Sequence, residues 1–456
     1  MTKHAAFVFF CLVLLLAPAR GAELTEDQIA TLSRQMIIAS PEKSAEAQAA
    51  LVKRGKRDVI AAMMLALRFR RNDPGVRKSL EALTGESFAN WKAAMEWQEL
   101  HPEIVPHASH KVLKLDMLAF IDPNFLRFLG KERGDRKNMD IRLEEVVWGG
   151  VKVDGIPSLD NPKLIPAPEA DYLLDTDLVF GVEINGDARA YPLRIMGWHE
   201  MFNETIGGMP VALAYCTLCG AGILFETQAE GREKPFVFAS SGLLYRSNKL
   251  MFDRETDSLW NQFTGEPVAG PLRGSSIKLK IRPVAITSWA EWKAQNPETS
   301  VLSLETGFRR NYGSGVVYKA YFESPDLMFP SARRAPGNVK RKDYVFGIRG
   351  VGAAKAWPVS AFHKKRVIND SVGSRNVVLI GDAATRTVRA YDRGNHSFET
   401  GGGADSLKSA DGTWTVAEDA ISGPGGEKLA RVPGHISYWF AWDSYLGVKS
   451  ELYSAP

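Results

Sequence analysis

Two cysteines three residues apart, Cys216 and Cys219, stand in the run Tyr215-Cys216-Thr217-Leu218-Cys219-Gly220, and the chain has only three cysteines in all. The third, Cys11, lies in an apolar leader. With the leader removed, the mature chain keeps two thiols at a spacing that brings two sulfurs onto one point. That point is a metal ion held by a knuckle, or a disulfide that carries electrons. Thioredoxin-like motifs follow a strand and open a helix, whose N-terminal dipole lowers the first thiol's pKa. Here Pro210 to Ala214 reads as a strand and so does Ala221 to Glu226, so the pair is expected at a strand–turn–strand corner. Gly220 would let backbone N–H groups approach the sulfurs.

One knuckle gives two ligands. His199 is the candidate third, in Trp198-His199-Glu200-Met201-Phe202-Asn203, a stretch that reads as a short helix before the strand of Cys216. Cys216, Cys219 and His199 with water, Glu200 or Met251 in a fourth position would form an open site for zinc, copper or iron. Glu200 and His199 are then the candidate proton carriers. The competing chemistry is thiol–disulfide exchange at Cys216 and Cys219, with His199 or Glu200 moving the proton. A third possibility is a non-catalytic binding protein. Substrate and partner, small molecule or protein, are not specified by these residues, nor is enzymatic activity itself.

The elements that position these groups come in three blocks. Residues 24–135 carry apolar side chains at three- and four-residue spacing and read as short helices, with Thr25 as an N-cap and Asn72-Asp73-Pro74-Gly75 as a break. His101, His107 and His110 near their end are expected to be loop histidines. From about 145, short β-branched and aromatic runs alternate with Gly, Pro and Asp, the texture of a β-rich domain.

That domain repeats. Under a shift of 166 positions, Val179-Phe180-Gly181-Val182 falls on Val345-Phe346-Gly347-Ile348, and Ala188 to Leu193 falls on Ala354 to Val359. Asn203 falls on Asn369. With a shift of 150, Trp289 and Trp292 fall on Trp439 and Trp442. Two lobes are expected, 145–310 and 338–456. The second lacks the reactive groups: His199, Glu200, Cys216 and Cys219 fall on Lys365, Arg366, Asp382 and Thr385. The first lobe should therefore bear the site, and the second should be a scaffold or complete a cleft. The fold class expected is α+β: a mainly β duplicated domain with an N-terminal helical extension.

The stretches 181–194, Trp198-His199-Glu200, 215–220, Ser241-Gly242-Leu243-Leu244-Tyr245 and 252–266 resemble the bacterial domain-of-unknown-function family 3179, over about residues 150–456. The resemblance implies an exported protein with this pattern and brings no activity with it. Family members more often have Pro where this chain has Thr217.

The remaining signals bound the setting. Lys3 and His4, the apolar run 5–16 and the small-x-small Ala17-Pro18-Ala19 read as a signal peptide over residues 1–19, implying a periplasmic or secreted protein. No later run approaches ~18 apolar residues, so no membrane span is expected in the mature chain. The 57 basic and 53 acidic residues, a formal +4, argue against nucleic acid as the main partner. Asp253, Arg254, Asp257 and Gln262 read as a polar turn, Trp260, Trp289, Trp292, Trp439 and Trp442 as core, and His435 as a surface or core histidine. No Ser-His-Asp set, P-loop, dinucleotide fingerprint or haem motif is present.

Overall fold

The structure, a computed structural model, describes residues 23–335, 337–350, 352–403 and 405–454. The expected leader, residues 1–19, lies outside them. Among the described residues the fold is a mixture of helix and strand, with an N-terminal helical region and five sheets.

The helices Glu26–Ile38, Pro41–Arg54, Ile60–Phe69, Pro74–Thr84, Trp91–Leu100 and Ser109–Ile121 make up most of the first block. Their ends follow local chemistry. Thr25 and Gln28 form a reciprocal capping box, and Asp73 caps the helix that Pro74 opens; such caps stabilise by about 1 kcal/mol each. Met36, Leu51, Met63, Leu67 and Leu80 form their shared core, which Val147 and Leu244 enter from the sheets. The helix Trp91–Leu100 also holds a later loop. The Glu99 carboxylate accepts from the Ala332 N–H at 2.8 Å, and Glu96 pairs with Arg341 at 2.7 Å.

Two sheets share one plan. In the first, Ala285–Ser288 pairs Leu178–Ile184, which pairs Asp187–Pro192, which runs parallel to Ser300–Leu302. In the second, His435–Tyr438 pairs Tyr344–Arg349, then Ala354–Pro358, then parallel Glu451–Leu452. A helix follows the outer strand in each, Trp289–Gln295 or Trp439–Leu446. Its first N–H donates to Asp177 O in one and Asp343 O in the other, both at 2.8 Å. Gly181 and Gly347 lie directly under the rings of Trp292 and Trp442. No other residue fits there, because a Cβ would overlap the ring.

Two hairpin triplets show the same parallel. Met201–Ile206, Met209–Cys216 and Ala221–Glu226 pair in order, as do Val367–Val372, Arg375–Asp382 and Thr387–Asp392. Asn203 exchanges two hydrogen bonds with the backbone of Phe238, and Asn369 does the same with Phe398. The five tryptophans singled out above are buried, Trp260, Trp292 and Trp442 completely, so they pack the core and present no binding platform. Among the described residues no helix is long and apolar enough to cross a membrane.

Candidate functional site

The helix Leu193–His199 delivers the first candidates, and it ends at His199, where the sequence reading carried a helix on from Trp198 to Asn203. Glu200 is its C-cap, at φ 55, a left-handed conformation that costs a non-glycine residue about 1–2 kcal/mol. Two backbone bonds hold it there. Its N–H donates to Met196 O at 2.7 Å, and its carbonyl accepts from Tyr215 N–H at 2.7 Å. Its carboxylate is held separately, as described below. The chain then extends at once. Met201-Phe202-Asn203, expected in the helix, belongs to the strand Met201–Ile206, because all three side chains are buried between packed layers. Gly207 and Gly208, at φ 52 and 81, turn the chain into Met209–Cys216.

The cysteine motif sits at the far end of that hairpin. Thr217–Cys219 forms one 3-10 turn, Gly220 takes φ 59, and Ala221–Glu226 returns antiparallel with Cys216 opposite Ala221. This is the strand–turn–strand corner expected from the sequence. Gln262 fastens its base, donating to Ala214 O at 2.9 Å and Ala221 O at 3.2 Å. Cys216 and Cys219 are joined as a disulfide, with Cα atoms 5.2 Å apart, inside the ordinary range for such a bond. Both sulfurs are shielded: Cys216 is 2% exposed and Cys219 0%. Tyr321, Leu327, Tyr438 and Phe440 pack around them, and the Tyr321 hydroxyl donates to Leu218 O at 2.6 Å. The Cys219 sulfur lies 3.2 Å from the carbonyl of Ser247, which would accept from a thiol and repel a thiolate.

Glu200 and His199, adjacent in sequence, go to different places. The Glu200 carboxylate accepts from the Thr217 hydroxyl at 2.6 Å and from the Lys249 ammonium at 3.1 Å. All three side chains are buried. The carboxylate is thus wired into the cysteine turn itself, through Thr217. His199 is fully buried and turned toward a different loop. Its Nδ1 donates to Pro157 O at 2.9 Å, which leaves Nε2 to accept from the Tyr312 hydroxyl at 2.6 Å. Burial holds the imidazole below its ordinary range, which agrees with this neutral tautomer. Both ring nitrogens are therefore engaged away from the sulfurs.

The other singled-out residues do not join this site. Met251 packs with Met201, Phe238 and Trp260 in a neighbouring core. Asp253 closes a turn through Thr256 and the Trp260 N–H, Arg254 pairs with Asp154, and Asp257 pairs with Arg127. His435 is buried against Phe263 and Trp442, and burial drives its pKa well down. His101 stacks on Trp97 and His107 meets Glu26, apart from each other's partners. Among the described residues no group of three or more His, Cys, Asp or Glu side chains is arranged to hold a metal ion. Lys249 escaped the sequence reading, although a lysine ahead of Leu250-Met251-Phe252 in an apolar strand was a signal that it needed a buried anion.

Residues 153–448 match the family described as "Protein of unknown function (DUF3179)". The chain belongs to this family. The match spans the first plan-sharing sheet, the second except its strand Glu451–Leu452, the cysteine corner, Glu200 and Lys249, and leaves the N-terminal helices outside it. No curated protein and no solved structure matches the chain.

Proposed function

We propose that this DUF3179 protein is an exported thiol–disulfide oxidoreductase whose working group is the Cys216–Cys219 pair. The observation that carries the reading is the buried Glu200 carboxylate bonded to Thr217 inside the cysteine turn. Buried charge is costly and is kept where it serves. In the forward step a substrate thiolate attacks one sulfur and expels the other cysteine as a thiolate. That thiolate takes up the proton the substrate lost. A second substrate thiol then resolves the mixed disulfide, so two electrons and two protons pass from two thiols to the cysteine pair. Cys216 is the sulfur under attack, since Ser247 O favours Cys219 as the protonated thiol. Glu200, through the Thr217 hydroxyl, is the proton carrier.

The leader over residues 1–19 supports export to an oxidising compartment, periplasmic or extracellular, where such a pair persists. The matched strand registers and Gly–Trp contacts of the two sheets support descent from one duplicated unit, with the reactive groups kept in the first copy. A transition-metal site on Cys216, Cys219 and His199 is the second reading, favoured by the knuckle-like corner with Gly220 in a left-handed conformation. It requires His199 to free one ring nitrogen from its bonds to Pro157 and Tyr312.

The two readings separate in one preparation. The leaderless chain is purified without reductant or chelator, and its thiols and metal content are measured. The redox reading expects no free thiol, two thiols after reduction, and a two-electron midpoint in a dithiothreitol redox buffer that Cys216→Ser abolishes. Stoichiometric metal with two free thiols would replace it with the metal reading.

A further inference from the structure

Three positions of the second sheet and its hairpin triplet depart from their counterparts in the first, and the three residues that stand there, Tyr344, Tyr438 and Arg386, converge on one cavity beside the cysteine corner. Leu178 faces Ser288 in the first sheet, and Tyr344 faces Tyr438 at the same register in the second. Gly220, at φ 59, ends the cysteine turn, and Arg386, at φ 58, stands at the matching position between Arg375–Asp382 and Thr387–Asp392. A glycine would hold that left-handed conformation without strain, so the arginine side chain must be what the position retains.

Tyr344, Tyr438 and Arg386 line a cavity of about 460 Å³ together with Tyr215, which immediately precedes Cys216. The rings of Tyr344 and Tyr438 stack at 4.4 Å, and their hydroxyls lie 3.0 Å apart. Arg386 lies over Tyr344 and donates to its hydroxyl at 2.6 Å. On the other side the same two rings cover Gly220, where a Cβ would stand 2.8 Å from Tyr344.

The charges around the cavity cancel except for one. Arg194 pairs with Asp177 at 2.8 Å, and Lys319 faces Glu323 at 4.0 Å. Arg386 has no carboxylate partner among the described residues; its hydrogen bond goes to the Tyr344 hydroxyl. The walls otherwise are aromatic or aliphatic, with Phe322, Leu178 and Val317. One uncompensated guanidinium beside phenol hydroxyls, in an aromatic pocket of this size, fits one negative charge on a flat apolar body.

We propose that this pocket binds a small aromatic or similarly flat carboxylic acid, its carboxylate on Arg386 and the Tyr344 hydroxyl and its body against Tyr215 and Phe322. The site stands independently of the redox reading, since none of its ligands is Cys216, Cys219 or Glu200. Its test is calorimetric titration of the oxidised protein with benzoate, the neutral isostere benzamide, and inorganic phosphate. Benzoate should bind one to one and at least tenfold more tightly than benzamide, consistent with a charge-assisted pair. R386Q should bring benzoate down to the benzamide level and leave benzamide unchanged, and Y344F should weaken benzoate by a smaller factor with the arginine in place. Unchanged melting of R386Q would exclude a folding effect, and if R386Q does not fold, Y344F carries the test alone. Equal binding of benzoate and benzamide, no effect of either variant, tighter binding of phosphate, or no saturable benzoate binding at millimolar concentration would each overturn the assignment.

Discussion

Thr217 donates its hydroxyl to Glu200 across 2.6 Å, so the first residue after Cys216 is bonded to the residue that caps the preceding helix. The bond closes a loop of structure. The Glu200 backbone fixes the strand that ends in Cys216 through Tyr215, and the Glu200 side chain fixes the turn that follows. Any change at Glu200 is therefore felt on both sides of the disulfide.

Glu200 and Lys249 form a buried ion pair at 3.1 Å. Glu200→Gln or Lys249→Met alone should cost about 3–5 kcal/mol, because each leaves the other charge buried without its partner. The double variant should cost clearly less than the sum. A double-mutant cycle by urea denaturation measures this, and strictly additive losses would show that the two charges are not coupled.

Thiol chemistry should follow Glu200 and Thr217 and ignore His199. Glu200→Gln and Thr217→Val should change the pH dependence of reduction of the pair by dithiothreitol. His199→Asn should leave that profile and the thiol count unchanged while lowering stability by roughly 1–3 kcal/mol through the lost bonds to Pro157 and Tyr312. A redox profile displaced by His199→Asn and not by Glu200→Gln would reverse the two roles.

Gly181→Ala and Gly347→Ala should destabilise alike, since each Cβ would overlap a buried tryptophan ring, Trp292 or Trp442. Overpacking of this kind costs about 1–3 kcal/mol or more. Gly402→Ala, where a Cβ meets nothing within 4 Å, should melt within a degree or two of the parent. Thermal melts of the three variants check this, and a large asymmetry between the first two would show that the sheets do not share one packing logic.

The Glu99 carboxyl should lower stability as pH rises from about 5 to 8, against the opposite contribution of buried His110, His199 and His435, whose imidazoles burial holds below their ordinary range. Burial pushes the Glu99 carboxyl up to about 8, so the folded state holds a proton there that the unfolded chain, with an ordinary glutamate, has lost above about 4.5. The contribution is complete below the unfolded pKa and disappears as pH passes the folded one. It is on the order of 2–4 kcal/mol over that window. Glu99→Gln should remove that contribution, so its stability should lose less, or gain more, than the parent's between pH 5, 6.5 and 8 in denaturation curves, and an identical pH dependence in the two would show that Glu99 does not carry it.

The amphipathic spacing between residues 24 and 130, the Thr25 cap and the break at Asn72-Asp73-Pro74-Gly75 were legible because helix signals are local. The corner at Cys216–Gly220 was legible for the same reason, a strand pattern on either side of a glycine turn. The helix assigned to Trp198–Asn203 was not. Its apolar residues fit a helix and a buried strand equally, and the left-handed Glu200 that divides the two has no strong local signature. The partner of Glu200 was also hidden, since Lys249 lies 49 residues away.

The sequence by itself determined the family, the cysteine pair at a turn, and the correspondence of Gly181 with Gly347 and of Trp292 with Trp442, because these rest on residue type and spacing along one chain. Only the tertiary structure decided which neighbours of the pair share its chemistry. It sent His199 to Pro157 and Tyr312, brought Glu200 to Thr217 and Lys249, and set Tyr344, Tyr438 and Arg386 around one cavity. Adjacent residues on a helix end diverge by the direction of their Cβ bonds, while distant strands converge to bury their apolar faces. Proximity in space then follows from packing, which no spacing in the sequence records.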